Sequence, residues 1–377
     1  MKRFSDISII QKGGRIMVII ISFLLVCILI LSGALLLNSP GKAIPFLDER
    51  GKPLEGSTSE KLFIDINGVR QGMFIKSKNA ANPVLLYLHG GMPDYFLTEK
   101  YPTGLEDYFT MVWWEQRGSG LSYSKAIPPE TMTPEQMISD TKEVTNYLRK
   151  RFGEEKIYLM GHSGGTFIGI QTVEMYPELY NAYLGVAQIS NQLRSEKRAY
   201  DFMLRQFRDK GNLKMVKKLE ASPVTMANGT PPGYNGIRDI AMHSLGIGTT
   251  HGMKSVVSGI FFPSLKCREY TLLEKVNMWV SKSRAGISVV WKNILATDLS
   301  EKVTELKVPV YFFEGAYDYT CSSVEAKSYF EKLKAPVKGF YIFEKSAHSP
   351  FFEEPDKMQK IIREDVLTGV NNLADIK

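Results

Sequence analysis

Residues 156–170 have the sequence KIYLMGHSGGTFIGI. The first five residues are a continuous apolar run, which is typical of a strand buried on both faces, and the last five can begin a helix. The five between them, from Gly161 to Gly165, form a G-x-S-x-G motif. In a strand–turn–helix context this motif places its serine in a sharp turn, where small neighbours let the strand and the helix approach. The stretch therefore predicts that Ser163 is a nucleophile exposed at the carboxyl edge of a sheet.

Similar apolar runs recur along the chain and indicate further strands. They lie at 83–88, 110–114, 183–186, 308–313 and 339–343, and a hairpin is predicted for 62–66 and 73–75 around Asn67-Gly68. Helical patterns lie between the runs; one begins with a Thr133 cap followed by Pro134 and ends at Gly153, and another covers about 353–367. This alternation predicts the α/β class, with a mostly parallel, doubly wound sheet and an antiparallel edge.

The same survey predicts how the chain is divided. A basic cytoplasmic stub covers 1–15, a transmembrane anchor 16–37 and a linker 38–60. A catalytic domain follows at 61–189 and 301–377. Between its two parts, residues 190–300 show short helical patterns and no clear strand, which predicts a mostly helical cap inserted into the sheet domain.

The N-terminal anchor is inferred from an uncharged run between Ile16 and Leu37. At about 1.5 Å per residue, a helix of this length crosses a hydrocarbon core of about 30 Å. The basic stub favours a cytoplasmic N-terminus, so we expect a single-pass cell-membrane protein with an extracellular catalytic domain. The alternative is a signal peptide cleaved after Ser32-Gly33-Ala34, which would give a secreted enzyme.

Charge and cysteine content limit the other classes of function. The net charge is +7, and Lys2, Arg3, Lys12 and Arg15 supply much of it before the apolar run, which argues against a nucleic-acid partner. The cysteines Cys27, Cys267 and Cys321 lack metal-ligand spacing, so neither a metal nor an organic cofactor is predicted.

A glycine loop, His89-Gly90-Gly91-Met92-Pro93, follows the 83–88 run. It lacks the ending of a phosphate-binding loop, and it suits an oxyanion hole better. We expect the backbone N–H groups of Gly91 and Gly164 to stabilise the oxyanion, with Met92 as the alternative to Gly91. His89 is expected to order the loop as structural support.

The acid and the base are expected after two late strands. Asp318 follows the 308–313 run and His348 follows the 339–343 run, which gives the order Ser, Asp, His. His348 would take the proton of Ser163, and Asp318 would orient the imidazole. Glu314 is the alternative acid, and His162, His243 and His251 are expected to have no catalytic role.

The motifs together resemble the proline iminopeptidase-like branch of the α/β-hydrolases. The likeness covers about 60–190 and 300–370 and includes the HGGMP loop, GHSGG and the segment WEQRGSGLS at 114–122. It implies the α/β-hydrolase fold and the catalytic residues named above. Within the last segment, Glu115 and Arg117 are expected to pair and to brace the oxyanion loop as structural support.

Several positions depart from that family. Met92-Pro93-Asp94 replaces Pro-Gly, Gly164 replaces a tryptophan that true proline iminopeptidases have, and Glu115 replaces aspartate. The first two changes weaken specificity for N-terminal proline more than they weaken hydrolysis. The family binds the substrate amine with cap glutamates. The glutamates available here are each expected to be solvated surface charges: Glu196, Glu220, Glu269 and Glu274.

The sequence therefore predicts a membrane-anchored serine hydrolase that cleaves an amide or an ester through an acyl-enzyme. Its substrate would be a short peptide or another small molecule. The first choice is a proline iminopeptidase-like aminopeptidase, and the alternative is a carboxylesterase or lipase. A non-catalytic binding module on the same fold is the hypothesis from another class of function, and the intact Ser, Asp and His set argues against it.

Overall fold

An eight-stranded sheet forms the centre of the computed structural model, which describes residues 2–284 and 286–377. The strands are β1 (Thr58–Ile66), β2 (Val69–Ser77), β3 (Val84–Leu88), β4 (Thr110–Glu115), β5 (Ile157–His162), β6 (Tyr180–Val186), β7 (Val310–Gly315) and β8 (Lys338–Phe343). Their spatial order is β1-β2-β4-β3-β5-β6-β7-β8.

The sheet is mostly parallel. Strands β1 and β2 pair antiparallel, as do β2 and β4, whereas every other neighbouring pair is parallel. The β1–β2 turn places Asn67 at φ 46° and Gly68 at φ 75°, the left-handed geometry that a two-residue hairpin requires. The predicted sheet with its antiparallel edge is thus confirmed.

Thirteen α-helices are described within these residues. They are α1 (Lys2–Leu37), α2 (Pro134–Phe152), α3 (Gly164–Met175), α4 (Gln192–Asp209), α5 (Leu213–Glu220), α6 (Pro232–Leu245), α7 (Phe262–Lys266), α8 (Leu272–Arg284), α9 (Trp291–Ala296), α10 (Leu299–Lys302), α11 (Ser323–Lys332), α12 (Pro350–Glu353) and α13 (Pro355–Ile361). Short 3₁₀ turns lie at Tyr95–Glu99, Leu105–Asp107, Gly120–Ser122, Pro129–Thr131, Pro177–Leu179 and Gly286–Ser288, and π-helical turns at Val257–Phe261 and Ile362–Val366.

The ends of two helices show how local sequence sets these boundaries. At the start of α2, the Thr133 hydroxyl accepts a hydrogen bond from Gln136 N at 3.1 Å, as its capping pattern predicts. The helix expected over about 353–367 is present from Pro355 to Val366, as α13 and the π-helical turn that follows it, but it begins after a break at Glu354 that separates it from α12. The proline that follows disfavours helical geometry at Glu354, whose φ and ψ are −129° and 60°.

Apolar side chains pack on both faces of the sheet. Along β3, Leu86 and Leu88 belong to one buried cluster, while Leu85 and Tyr87 belong to the cluster on the other face. Successive strand residues point to opposite faces, so a strand covered on both sides must be apolar throughout. This double covering explains why the strands are continuous apolar runs in the sequence.

Between β6 and β7 the described residues form helices and turns, including α4 to α9. We call residues 190–300 the helical cap. Its last long helix, α8, contacts the loop after β4, where Gly120 N donates to Ser281 Oγ at 3.1 Å. The cap therefore lies over the carboxyl end of the sheet, where the loops after the strands meet.

Helix α1 extends from the folded body. Its segment Met17–Leu37 has a mean hydropathy of 3.1 and none of it is buried within the structure. By length and composition this one helix can cross a membrane, and a signal sequence would have the same properties.

The residues after α1 are hydrogen-bonded to the cap. Gly41 N donates to Arg268 O at 3.1 Å, and Ile44 N donates to Glu269 Oε1 at 2.7 Å. The Lys275 ammonium, which is buried, donates to Asn38 O at 2.6 Å. The end of α1 is thus fixed to α8 and to the turn before it.

Candidate active site

Ser163 lies in the turn between β5 and α3. Its φ of 54° and ψ of −122° are strained for a residue with a side chain, and its N–H is held by Val186 O at 3.0 Å. A Cβ on Gly161 would lie 2.8 Å from the backbone of Thr166, so only glycine permits this close passage of strand and helix. The turn presents the Ser163 hydroxyl to a cavity at the carboxyl end of the sheet.

The glycine loop after β3 packs directly on the serine. A Cβ on Gly90 would lie 2.9 Å from Ser163 Cβ, whereas one on Gly91 would meet nothing within 4 Å. Gly91 and Gly164 both line the cavity with Ser163. A Cβ at position 164 would also lie 2.6 Å from the Ile287 side chain of the cap, so the cap leaves little room for a side chain there.

Asp318 and His348 are brought together by the loops after β7 and β8. His348 Nδ1 donates to Asp318 Oδ2 at 2.8 Å. The other carboxylate oxygen of Asp318 accepts from Thr320 N at 2.7 Å and from Cys321 N at 3.0 Å. This arrangement orients the buried carboxylate toward the imidazole and leaves Nε2 with a lone pair.

Ser163 and His348 line one cavity of about 810 Å³. Within the described residues, the Ser163 hydroxyl contacts the Cys321 sulfur at 3.9 Å rather than forming a hydrogen bond with His348. Such a bond commonly tightens only when substrate is present. The structure thus places the three predicted catalytic residues at one site and shows one of the two contacts of a triad.

The alternative acid, Glu314, contacts the loop after β6. Its Oε1 accepts from Gln188 N at 2.8 Å. Burial, together with the nearby Asp318 charge, raises the pKa of Glu314 well above its usual value, which favours the neutral form of this carboxyl. The hydrogen bond of His348 Nδ1 goes to Asp318 Oδ2, so the geometry favours Asp318 over Glu314 as the acid.

Comparison with known proteins is consistent with this geometry. The probable aminopeptidase YbaC of Bacillus subtilis (strain 168) is 32% identical over 298 residues, covering 78% of this chain and 91% of YbaC. The family model described as serine aminopeptidase, S33, matches residues 84–217.

The chain belongs to the α/β-hydrolase superfamily. Two solved structures share the fold of this α/β-hydrolase. A proline iminopeptidase-related protein from Thermus thermophilus has a TM-score of 0.54 at 16% identity, over 81% of this chain and 96% of that one. The proline iminopeptidase of Mycobacterium smegmatis has a TM-score of 0.55 at 13% identity, over 80% and 96%. The predicted fold class is confirmed, and the chain is an aminopeptidase-like hydrolase.

In this α/β-hydrolase, His89 connects the glycine loop to the loop after β4. Its Nε2 accepts from Gln116 N at 3.1 Å, so Nδ1 bears the proton and donates to Gly90 O at 2.8 Å. Burial lowers the pKa of His89 to about 4, which keeps the ring neutral. These bonds hold the loop that packs against Ser163.

The expected pairing of Glu115 with Arg117 is wrong. Arg117 forms a buried ion pair with Asp140 of α2, with Nε 2.6 Å from Oδ2. Glu115 instead accepts from Leu121 N at 2.5 Å and from the Tyr270 hydroxyl of the cap. The reason is that β4 ends at Glu115, so Arg117 already lies in the turn and points toward α2.

Glu115 is buried and forms no ion pair within the part of the chain that the structure describes. Burial raises its pKa from 4.5 to about 8, although the hydrogen bonds from Tyr270 and Leu121 act in the opposite direction. At neutral pH this carboxyl is therefore mostly protonated in the folded protein and ionised in the unfolded chain.

We expect this difference to make stability depend on pH. As pH rises from 4.5 to about 8, the unfolded chain releases the Glu115 proton while the folded protein keeps it, so stability that is complete below pH 4.5 is lost across this window. Glu115→Gln removes the titrating group, so it should gain roughly 3–4 kcal/mol relative to the wild type over the same range. Urea unfolding in a mild detergent at several pH values measures the gain.

The matched control is Glu220→Gln, which changes an exposed glutamate of α5. Its stability should follow the wild-type curve at every pH. If the Glu115→Gln curve also ran parallel to the wild type, burial would not be controlling the protonation of Glu115.

His162 and Asp94 form a contact that the sequence analysis missed. His162 Nε2 donates to the backbone oxygen of His348 at 2.8 Å, and its Nδ1 lies 3.2 Å from Asp94 Oδ2. The Tyr87 hydroxyl donates to the same Asp94 oxygen at 2.6 Å. Through its Nε2 hydrogen bond, His162 holds the backbone of His348 in place. Asp94 was noticeable in the sequence only as a departure from the related Pro-Gly pair.

The cap supplies the remaining wall of the cavity. Its cavity-lining residues are Gln192, Asn235, Arg238, Asp239, Trp279, Lys282, Ile287, Ser288 and Trp291. Since the resemblance to known enzymes stopped at the cap boundary, nothing in the sequence singled out these residues.

Three of the four cap glutamates expected to be solvated are paired in the interior instead. Glu196 is fully buried and binds Arg238, with Nη2 2.6 Å from Oε1. Glu269 pairs with Lys76 at 2.6 Å and Glu274 with Lys61 at 2.5 Å. Only Glu220 matches the expectation. The prediction was wrong because the cations that cover these acids lie far away in the sequence.

Glu196 neutralises the Arg238 guanidinium and leaves Asp239 facing the cavity. Arg238 Nη1 lies 3.1 Å from Asp239 Oδ1. Burial opposes ionisation of Asp239, but the charges of Arg238 and Lys282 hold its pKa below the usual value. The cavity that Ser163 lines therefore also contains an ionised carboxylate.

Across residues 2–284 and 286–377, no group of three or more His, Cys, Asp or Glu side chains is arranged so that it could bind a metal ion.

Proposed function

We propose that this protein is a membrane-anchored serine hydrolase that removes residues from short peptides with a free N-terminus. Ser163 is its nucleophile, His348 its general acid and base, and Asp318 the group that orients His348. The observation that supports this most directly is the single cavity lined by Ser163, His348 and Asp239. The family relationship to aminopeptidase-like hydrolases agrees with it.

In the proposed reaction, Ser163 Oγ attacks the peptide carbonyl carbon while its proton passes to His348 Nε2. The resulting oxyanion accepts hydrogen bonds from the N–H groups of Gly164 and Gly91. The C–N bond then breaks, and His348 returns the proton to the leaving amine. Water, deprotonated by His348, hydrolyses the acyl ester and regenerates Ser163.

The cavity charges suit a short peptide. Asp239 offers an anion to the substrate ammonium group, and Lys282, which lines the same cavity, offers a cation to a carboxylate. Arg238 adds little net charge because Glu196 already binds it. A neutral ester would use neither group, so these residues favour peptidase over esterase action.

We also propose that Met17–Leu37 remains as a transmembrane helix after synthesis. Its exposed apolar surface and the hydrogen bonds that fix residues 38–44 to the cap support retention. The basic residues before Ile16 favour a cytoplasmic N-terminus and an external catalytic domain.

The substrate class can be tested with the full chain in detergent. We expect hydrolysis of proline or alanine arylamides to require a free amine, so N-acetylation of the substrate should lower kcat/KM. Asp239→Asn should raise KM for the free-amine substrates by about 10- to 100-fold, which corresponds to one lost charged hydrogen bond. Turnover of a short nitrophenyl ester by this variant should stay close to the wild type.

Asp201→Asn is the matched control, since Asp201 is an exposed acid of α4 outside the cavity. Rapid turnover of long-chain esters together with indifference to N-acetylation would instead support the esterase alternative. Folded protein that does not react with a fluorophosphonate probe would support the non-catalytic binding module.

A further inference from the structure

A second, larger groove lies between the end of α1 and the cap. Its volume is about 990 Å³ and its lining is mostly apolar. Leu31 and Leu35 of α1 form one side, and Phe261, Phe262 and Val276 of the cap form part of the other. The groove is therefore built jointly by the apolar N-terminal helix and by the folded domain.

The position of the two sides is fixed by buried hydrogen bonds. Lys275 Nζ donates to Asn38 O at 2.6 Å, to Ser39 Oγ at 2.9 Å and to Leu265 O at 2.7 Å. These bonds join the residues after α1 to both α7 and α8. These hydrogen bonds thus hold the two sides of the groove in place relative to each other.

The position of the groove along α1 gives its depth in a membrane that the apolar segment Met17–Leu37 would span. With a rise of about 1.5 Å per residue, Leu31 lies about 9 Å below Leu37 along the helix axis. The residues of α1 and directly after it that line the groove run from Leu31 to Asn38, so the groove covers the range of depths between them. If Met17–Leu37 is in hydrocarbon, this part of the cap reaches the acyl-chain boundary, as do interfacial helices buried by about 5–10 Å.

The segments of the cap that line the groove, Val257–Phe261, α7 and α8, also carry apolar side chains that the described chain leaves exposed. We call these side chains the apolar cap face: Val257, Phe261, Phe262, Leu273 and Val276. The exposed fractions of Phe262 and Leu273 are 51% and 68%. An exposed apolar patch of this kind marks a surface that binds a partner or a membrane.

Basic residues flank the face. Lys125, Lys266 and Arg284 line the groove together with its apolar residues. An apolar surface with cations beside it is the combination that a bilayer with anionic headgroups would bind. The charge pattern and the continuity with α1 both favour a lipid bilayer over a second protein as the occupant.

We propose that the apolar cap face is a second membrane contact, with a lipid acyl chain in the groove between α1 and the cap. This inference rests on the transmembrane helix of the proposed function. Trp279 lines both this groove and the catalytic cavity, so the cavity is held beside the headgroup layer. Peptides with apolar side chains, which concentrate at that layer, are the substrate class that this placement favours.

The test uses the full chain in nanodiscs of phosphatidylcholine and phosphatidylglycerol in equal parts. A trace of phosphatidylcholine bearing a diazirine in its acyl chain is photolysed, and the lipid adducts are mapped by mass spectrometry. We expect adducts on 257–276 as well as on 17–37. Phe262→Asp should reduce the adducts on 257–276 by about tenfold or more, because a charge is poorly tolerated at this depth.

Leu213→Asp is the matched control, because Leu213 is an exposed leucine of the cap that does not line the groove. It should leave all adducts unchanged, and both variants should hydrolyse a soluble arylamide as the wild type does. Adducts confined to 17–37 would overturn the inference while leaving the anchor in place. Loss of adducts on 17–37 would refute the anchor and the inference together. A bifunctional cross-linker that joins the cap faces of two chains in the same nanodiscs would show that a second copy covers the face, which also overturns the inference.

Discussion

Replacing Ser163 with alanine is expected to lower kcat by about 10⁴- to 10⁶-fold, because no other group can form the acyl-enzyme. The nearest alternative nucleophile is Cys321, whose sulfur lies 3.9 Å from the serine oxygen. Burial raises the pKa of this thiol well above its usual value, so it stays protonated and cannot replace the serine. Steady-state turnover of a free-amine arylamide measures the effect, and labelling by a fluorophosphonate should disappear with it.

Ser288→Ala is the control for that experiment. Ser288 also lines the cavity, but its hydroxyl donates to the backbone oxygen of Lys282. Its loss should change kcat by less than about threefold, since it holds no reacting atom. Turnover by Ser163→Ala at more than a few per cent of the wild-type rate would refute the proposed mechanism.

Asp318→Asn is expected to lower kcat by about 10⁴-fold. An asparagine still accepts the N–H groups of Thr320 and Cys321, so the loop should keep its shape. Its amide, however, donates toward His348 and favours the tautomer that lacks a lone pair on Nε2. Substrate binding should change little, so the loss should be in kcat rather than in KM, and the thermal midpoint should stay near that of the wild type.

Glu314→Gln separates the two candidate acids. Burial raises the pKa of the Glu314 carboxyl and so favours its neutral form, for which the amide is a close substitute, and kcat should change by less than about threefold. If Glu314→Gln abolished turnover while Asp318→Asn kept it, the role of the acid would belong to Glu314.

The sheet could be predicted from sequence because its strands are buried on both faces. A strand such as β3, with Leu85 in one core cluster and Leu86 in the other, has to be apolar at every position. The helix expected over 353–367 begins only at Pro355, because a hydrophobic period does not show the break that this proline imposes at Glu354.

The site was predictable where local chain geometry determines it. Ser163, Asp318 and His348 each follow a strand, and parallel strands bring the loops at their carboxyl ends to one edge. Side-chain contacts between segments that are far apart in the sequence could not be predicted. Arg117 binds Asp140 rather than Glu115, since no sequence period relates the loop after β4 to a helix that begins later in the chain.

The cap was the least predictable part of the molecule. Glu196 and Arg238 are 42 positions apart in sequence, yet they form a buried pair behind the cavity. From the sequence alone, each of these charged residues is expected on the surface. Whether an ion pair is buried depends on how several helices pack together, which the sequence does not show directly. The cavity charges that favour a peptide substrate therefore became visible only in three dimensions.

The proximity of Cys321 to Ser163 matters for inhibitor chemistry. The buried thiol is a poor nucleophile by itself, but a ligand already attached to the serine would hold a second electrophile beside the sulfur at a high effective concentration. A compound with a hard warhead for oxygen and a soft one for sulfur would join both atoms. It would distinguish this hydrolase from serine enzymes that have no thiol at that position.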